Sequence, residues 1–423
     1  MPGPQDGGTA MEPSAPEQTD TEQAEKTFRD LVGSDGMAAF DPERQANPHP
    51  VLAELRTQAP LIDTGTGFAQ VIGRAGCEAV FRNHDPFSSK FPPIGGAHRP
   101  LIPIQLDPPE HKQFRKILDP IFAPRTIAPR MEPITELINE HIDRFIDHGE
   151  CVFDEEVAVP FPSQVFLTVA GLPLSDLEYL IELKDGILRP GYREGLANDD
   201  IEGRDAINAA TVVKIYEYFQ AAIDERRAHP TGDMLSNMLT SEVDGERLTD
   251  EEILDTCFLF LIAGLDTVTD SLTLFFVHLA QSDERRRQIV ADPEIIPNAV
   301  EELLRYETPV QGVFRIAAAD GDVVGCPVGA GTFLSVNLGS ANTDPAFLPD
   351  ADVVRFDRDV NPHYAFGGGV HRCLGSHLAR QELRIVLREW HRRIPEYRIK
   401  PGTELIWPPG LRSVENIVLE WPT

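Results

Sequence analysis

Positive charge is scarce in this 423-residue chain: 38 lysines and arginines stand against 68 aspartates and glutamates, a formal net charge of −30. Nucleic acids and anionic lipid surfaces are bound through basic patches, so this balance argues against both as non-specific partners. Cysteine is scarce as well. Cys77, Cys151, Cys257, Cys326 and Cys373 are odd in number, far apart and never arranged as C-x-x-C. That spacing argues against a disulfide framework or a ribbon-type zinc site and fits a reducing cytoplasm. Long hydrophobic runs are missing: the longest, Cys257 to Leu265, is under half of the roughly 20 residues a membrane helix needs, so no membrane anchor is expected. Internal repeats and a glycine-rich phosphate loop are missing too. Residues 1–25, rich in Pro, Gly, Glu and Gln and without periodicity, read as a disordered acidic leader; no basic stretch precedes an apolar one, as a signal peptide requires.

Beyond the leader, apolar patterns continue without a linker, which predicts a single domain over residues 26–423. Helical spacing dominates. Ile134, Leu137, Ile138, Ile142, Phe145 and Ile146 recur at three and four residues and stop before Gly149, as in an amphipathic helix. Strand signals are short. They lie around Leu61 to Phe81, interrupted by Gly65-Thr66-Gly67; from Val313 to Val336, with turns at Asp320-Gly321 and Gly329-Ala330-Gly331; and from Ile417 to Trp421. The predicted class is mainly α with small β-sheets.

The best specified helix starts at Thr249. Thr249 and Glu252 form an S/T-x-x-E capping box, and Leu248 and Ile253 stand at hydrophobic-staple positions. No proline follows until Pro293, so the helix can run to about Gln281, roughly 45 Å at the usual rise. Cys257 to Leu265 is apolar on every face, which makes this a buried, central helix. Inside it, Ala263-Gly264-Leu265-Asp266-Thr267 sets a glycine, an acid and a hydroxyl where packing offers them no obvious benefit. Glycine costs about 1 kcal/mol against alanine in a helix interior and an unpaired buried carboxylate costs more; such local violations mark function. Thr267 can bond back to the Ala263 carbonyl and bend the helix, and a bend at Gly264 would open a groove. Taken alone, the same residues also fit an ordinary back-bonded threonine and a salt-bridged aspartate.

Near the C-terminus, Phe366-Gly367-Gly368-Gly369-Val370-His371-Arg372-Cys373-Leu374-Gly375 is a glycine-rich turn running into a helical pattern. A thiolate suits haem iron, onto which it pushes electron density, and glycines let a flat macrocycle approach the backbone. Read on residues alone, Cys373 also suits a buried inert thiol, or a zinc cluster with His363, His371 and His377. Upstream, Glu302 and Arg305 are three residues apart on one helical face, where an ordinary surface pair is possible.

Phe366-x-x-Gly369-x-His371-x-Cys373-x-Gly375 closely resembles the haem-binding signature of the cytochrome P450 family. Ala263 to Thr267 resembles the acid-alcohol pair on that family's long distal helix, and Glu302-x-x-Arg305 its E-x-x-R motif, in the family's order across about Pro86 to Arg384. The resemblance implies the P450 fold, with haem b between the central helix and the cysteine loop. It implies Cys373 as iron ligand, with Phe366, Gly367 and Gly375 in the haem-binding loop, and His111, Arg115, Arg315 and His371 around the propionates. It further implies that Asp266 relays protons, that Thr267 orders the water delivering them, and that a buried Glu302–Arg305 pair supports the ligand loop.

The activity so implied is a soluble, bacterial-type haem-thiolate monooxygenase hydroxylating a lipophilic small molecule (terpenoid, fatty acid or steroid-like) with dioxygen. A peroxide-driven peroxygenase of the same fold and a non-catalytic haem sensor or electron carrier are the alternatives. With no flavin or iron–sulfur domain in the chain, electrons are expected from NAD(P)H through a ferredoxin reductase and a ferredoxin. The ferredoxin would dock near Lys112, Arg115, Lys116 and Arg372 of a monomeric, cytoplasmic enzyme. Position relative to Asp107-Pro108-Pro109-Glu110 puts a mainly apolar pocket lining at Ser88 to Ile104, including Phe91, Ile94, Leu101 and Ile104, joined by Ala263, Val310 and Val313. Camphor-hydroxylating members, which the Gly-Leu-Asp-Thr run resembles, use a tyrosine donor where the ungapped alignment puts Arg99, a departure that counts against camphor. Arg99, Gln105 or Arg189 could instead meet a carboxylate, but each is expected at the exposed surface.

Overall fold

The computed structural model describes residues 42–197, 200–243 and 245–423; the expected leader, residues 1–25, lies outside them. The helices that organise the molecule are α1 (Glu110–Leu118), α2 (Met131–Asp143), α3 (Pro160–Ala170), α4 (Leu177–Leu188), α5 (Ile201–Ala228), α6 (Asp250–Gly264), α7 (Thr267–Gln281), α8 (Ile296–Glu307) and α9 (Ser376–Arg393). The strands of the two larger sheets are short: β1 (Leu61–Asp63), β2 (Phe68–Val71), β3 (Phe87–Ser88), β4 (Glu150–Val152), β5 (Gly312–Ala317), β6 (Phe333–Asn337), β7 (Arg398–Ile399) and β8 (Val418–Glu420). A five-stranded sheet runs β1-β2-β6-β5-β3, parallel only between β2 and β6, and a three-stranded antiparallel sheet runs β7-β8-β4. Mainly α with small sheets is therefore the observed class.

The strand expected across Leu61 to Phe81 is only half strand. β1 and β2 pair across the Gly65–Gly67 turn, but Gly73–Arg82 is helical. Cys77, Val80 and Phe81 are its buried apolar residues, spaced at three and four, so the helical period wins over alternation. In α2, Ile134, Ile138 and Ile142 are buried as the pattern predicts.

The central helix begins as its cap dictates. Thr249 Oγ1 accepts the Glu252 N–H at 3.2 Å, and the Thr249 N–H donates to Glu252 Oε2 at 2.8 Å. It does not continue unbroken to Gln281, because Leu265 and Asp266 separate α6 from α7. At the end of α6, Gly264 passes so close to Phe166 of α3 that an added Cβ would sit 2.6 Å from the ring. The glycine thus has a packing reason that the sequence does not display. Asp250–Gln281 is long and apolar enough to cross a bilayer by composition, yet 83% of its most apolar stretch is buried within the fold, as in a core helix. Trp390 of α9, fully buried, meets Phe276 of α7 edge-on at a centroid distance of 5.0 Å and Phe153 at 5.2 Å. The helix break and the loop entering α9 are thereby carried on helices that pack together.

Candidate active site

The loop before α9 is closed by its own backbone. Cys373 N–H donates to Phe366 O at 2.9 Å, and Gly367 N–H to Tyr364 O at 2.8 Å. Gly367 and Gly369 take φ values of +66° and +63°, the left-handed region where a side chain is strained, and a Cβ at Gly369 would collide with the Phe81 carbonyl. Around Gly375, beside the cysteine, an added Cβ would meet no atom within 4 Å. Cys373 is exposed, whereas Cys77, Cys151 and Cys257 are buried. Atoms packed around the Cys373 thiol raise its pKa by desolvation, while the Gly375 backbone and the charges of Arg115, Arg380 and Arg372 favour thiolate. The zinc alternative falls on geometry. His363 Nε2 pairs with Glu301 at 3.1 Å, His371 Nε2 faces Ser89 Oγ at 3.0 Å, and no metal-binding group gathers among the described residues.

The loop is held from behind by α8. Glu302 and Arg305 are both 0% exposed and pair twice, Nε to Oε2 and Nη2 to Oε1, each at 2.8 Å. Glu302 also accepts from the Arg355 N–H, Arg358 Nε and Asn361 Nδ2, while Arg305 donates to the carbonyls of Asn342, Ala351 and Val353. No polar capacity is left open, the condition under which a buried ion pair is tolerated. The surface-pair alternative is therefore wrong. Glu301, which the sequence did not single out, grips α9 through Arg380 at 2.7 Å, and Arg380 in turn lies over the Phe366 ring at 4.3 Å. The two neighbouring glutamates thus fix the segments on either side of the cysteine loop.

A second group of side chains lacks an anion. The rings of His111 and His371 lie 4.3 Å apart. Arg315 is buried and donates to the Phe314 carbonyl at 2.6 Å, with no carboxylate within ion-pair distance among the described residues. Asp107, the acid that most favours its charge, is occupied by Ser88 and Ser89. Burial pushes Arg315 down to about 10, His111 to about 4 and His371 to about 2, and Arg315 itself adds to the lowering of both imidazoles. His111 Nδ1 is buried without a hydrogen-bond partner. A desolvated guanidinium beside neutral imidazoles with an orphaned ring nitrogen fits a carboxylate-bearing group such as haem, with Cys373 Sγ and the space at Gly375 on the same loop. Arg115 stands partly apart from this set: it binds Asp119 at 2.6 Å and the Arg372 carbonyl at 2.8 Å, bracing the loop.

At the helix break, Thr267 Oγ1 donates back to the Ala263 carbonyl at 3.1 Å, as its spacing predicts. Asp266 is 1% exposed and accepts from Lys184 Nζ at 2.9 Å and Arg189 Nη2 at 3.2 Å. Desolvation opposes its charge, but the two cations outweigh it and hold the carboxyl below its ordinary range. Arg189 is thus buried, not exposed as expected, because Asp266, Ser413 and Glu415 all claim it. Gln105 is buried as well: its amide donates to the Phe91 and Pro92 carbonyls and accepts from the Leu101 N–H, tying its own loop together. Arg99 is half-buried against Asp255 at 2.8 Å, and Tyr216 binds the other oxygen of that acid at 2.9 Å. Lys184 was missed, although its place among Leu180, Leu183 and Ile187 on the apolar face of α4 signals a lysine in need of an acid.

The pocket residues belong to different packing units. Leu101 is fully buried in the main core, Val310 and Val313 pack half-buried against the apolar cluster under β5 and β6, and Ala263 is exposed on an otherwise buried α6.

A family model described as Cytochrome P450 matches residues 203–292 and 284–401. A protein of Sinorhizobium fredii named probable cytochrome P450 127A1 is 34% identical over 403 residues, 92% of this chain and 93% of its own. The chain belongs to the cytochrome P450 family. The steroid C26-monooxygenase of Mycolicibacterium smegmatis is 31% identical to this P450 over 349 residues, 82% of one and 85% of the other. The crystal structure of CYP109E1 from Bacillus megaterium in complex with testosterone superposes with a TM-score of 0.82 at 28% identity, covering 90% of this P450 and all of that chain. The P450 fold is therefore present and the enzyme is a monooxygenase, of a family that uses haem iron and dioxygen.

Proposed function

We propose that this P450 hydroxylates a lipophilic small molecule, of steroid-like, fatty-acid or terpenoid class. It does so with dioxygen and with electrons passed from NAD(P)H through a ferredoxin reductase and a ferredoxin. The observation that carries the reading is the break between α6 and α7, where Thr267 is tied to Ala263 beside an Asp266 held by Lys184 and Arg189. Haem b, when bound, supplies the iron at which dioxygen is activated.

Residues of the chain do the holding and the proton handling. Cys373 is the thiolate ligand, presented by the Phe366–Gly375 loop, with Gly367 and Gly375 leaving room for the macrocycle. Arg315, His111 and His371 would hold the propionates, and Arg115 secures the loop they face. The Thr267 hydroxyl, fixed at its own helix turn, orients a water in the groove, and Asp266 carries protons to that water. Glu302 and Arg305 keep the ligand loop in register.

Support for a lipophilic substrate comes from the apolar residues Leu101, Val310 and Val313, from exposed Ala263, and from relatives whose names and complexes are steroidal. Support for an acidic electron donor comes from an open cleft of about 600 Å³ where Lys112, Arg115 and Lys116 outnumber the one lining acid, Asp119, a net basic site on an acidic protein. A monomeric cytoplasmic enzyme completes the reading. Haem-loaded protein titrated with steroids, fatty acids and terpenoids is expected to shift its iron spin state with at least one class, and to give hydroxylated product with a ferredoxin and its reductase. No spin shift with any class overturns the substrate reading; product with peroxide but not with the electron donors overturns the ferredoxin.

A further inference from the structure

The buried charge around Asp266 does not balance. Asp185, Asp266 and Asp270, all under a tenth exposed, face only Lys184 and Arg189 at comparable depth. Adding the more exposed Glu415 and Arg193 still leaves one acid in excess. Asp185 is met by Lys184 and by Arg193 reaching in from the surface, and Asp266 takes Lys184 at 2.9 Å and Arg189 at 3.2 Å. Asp270, one turn later on α7 and 0% exposed, has a longer contact of 3.5 Å with the same Arg189 Nη2 and is approached by the Ser413 hydroxyl. Neither of its carboxyl oxygens is engaged by a hydrogen bond of ordinary geometry. Two carboxyl groups therefore share one guanidinium nitrogen, and the one with poorer contacts carries the excess. A buried acid in that position is stable with its proton on. Desolvation and the Asp266 charge indeed raise Asp270 well above the ordinary range, against Arg189, Lys184 and Ser413.

We propose that Asp270 is a neutral carboxylic acid that stores the proton Asp266 delivers, a positioning residue acting through Asp266. The inference rests on the reading of Asp266 and Thr267 as the proton-delivery pair. The Asp270 O–H bond breaks as the Asp266 carboxylate, leaving Lys184, accepts the proton; Arg189, in contact with both, stays beside whichever is ionised. Asp266 then passes the proton to the water at Thr267. Asp270 is reprotonated from solvent; the more exposed acid of the network, Glu415, meets Arg189 Nη1 at 3.3 Å and the Tyr192 hydroxyl at 3.0 Å. The titratable groups around Asp270 are Lys184 and Asp185 of α4, Arg189, Tyr192 and Arg193 after it, Asp266 at the break, and Glu415. Asp154, on the turn packed against α7, is occupied by the Asn416 and Ile417 N–H groups at 2.9 and 2.7 Å.

Infrared difference spectra of wild type against Asp270→Asn at neutral pH read the proton without turnover. A protonated-carboxyl C=O band lost in the variant is expected; a difference spectrum without that band overturns the proposal. In the haem-loaded enzyme, coupling is expected to decline with rising pH in wild type, and Asp270→Asn is expected to raise the peroxide share of reducing equivalents severalfold and to remove that decline. If Asp266→Asn uncouples while Asp270→Asn keeps the wild-type profile, the store is overturned and the delivery pair stands. If neither Asp266→Asn nor Thr267→Ala uncouples, the underlying reading falls and the store with it.

Discussion

Lys184 Nζ and Asp266 Oδ1 meet at 2.9 Å, both below a twentieth exposed, where the central helix gives way between α6 and α7. The pair joins α4 to the break and keeps a charge beside Thr267 that the apolar surroundings would otherwise reject.

Asp266→Asn keeps the shape and removes the charge. Turnover of the haem-loaded enzyme is expected to fall by about 100-fold, the lower end of what a positioned acid or base contributes. Thr267→Ala is expected to keep consuming NAD(P)H but to divert it to peroxide, with stability changed by less than about 1.5 kcal/mol, one hydrogen bond. The peroxide-to-product ratio checks both, and unaltered coupling would remove Thr267 from the mechanism.

Cys373→Ser replaces the soft ligand with a hydroxyl. The reduced, carbon monoxide-bound protein is expected to lose its thiolate-type absorption; an unchanged spectrum would sink the ligand assignment.

Arg305→Ala leaves buried Glu302 with Arg358 as its remaining cation and strips the Asn342 and Ala351 carbonyls of the donor that Arg305 had supplied. A loss of about 3–5 kcal/mol in urea unfolding is expected, with weakened haem retention. Arg305→Lys should recover little, since one ammonium cannot reach two carboxylate oxygens and three carbonyls together.

Glu307 governs part of the acid stability. It is buried between Arg412 Nη1 at 2.6 Å and His278 Nδ1 at 2.7 Å, and although desolvation opposes its charge these partners lower its pKa from 4.5 to about 2. Because the folded value lies below the unfolded one, the stabilisation is complete above pH 4.5 and is lost as the pH falls to about 2. Unfolding free energies measured across that window should drop in wild type and more shallowly in Glu307→Gln. Equal slopes would count against Glu307.

What was legible in advance was local. The Thr249–Glu252 box, the Thr267–Ala263 bond and the Glu302–Arg305 pair each span three or four residues, where helix geometry alone brings the partners together. Lys184 and Asp266 are 82 residues apart, and Glu301 and Arg380 are 79 apart. No periodicity announces such pairs, and Arg189 and Gln105 were placed at the surface because isolated polar residues usually belong there.

The sequence by itself determined the family and the helical class, and it pointed to Cys373 and to Asp266-Thr267 as the residues we propose for the site, because each is a short motif whose chemistry depends on spacing. The tertiary structure decided which charges are buried and with whom. It made Gly264 necessary by packing Phe166 against it, left His111 and Arg315 without an acidic partner among the described residues, and left Asp270 as the odd acid beside Asp266. Those outcomes follow from desolvation and from distant segments brought to one place, and neither is written in the order of residues along the chain.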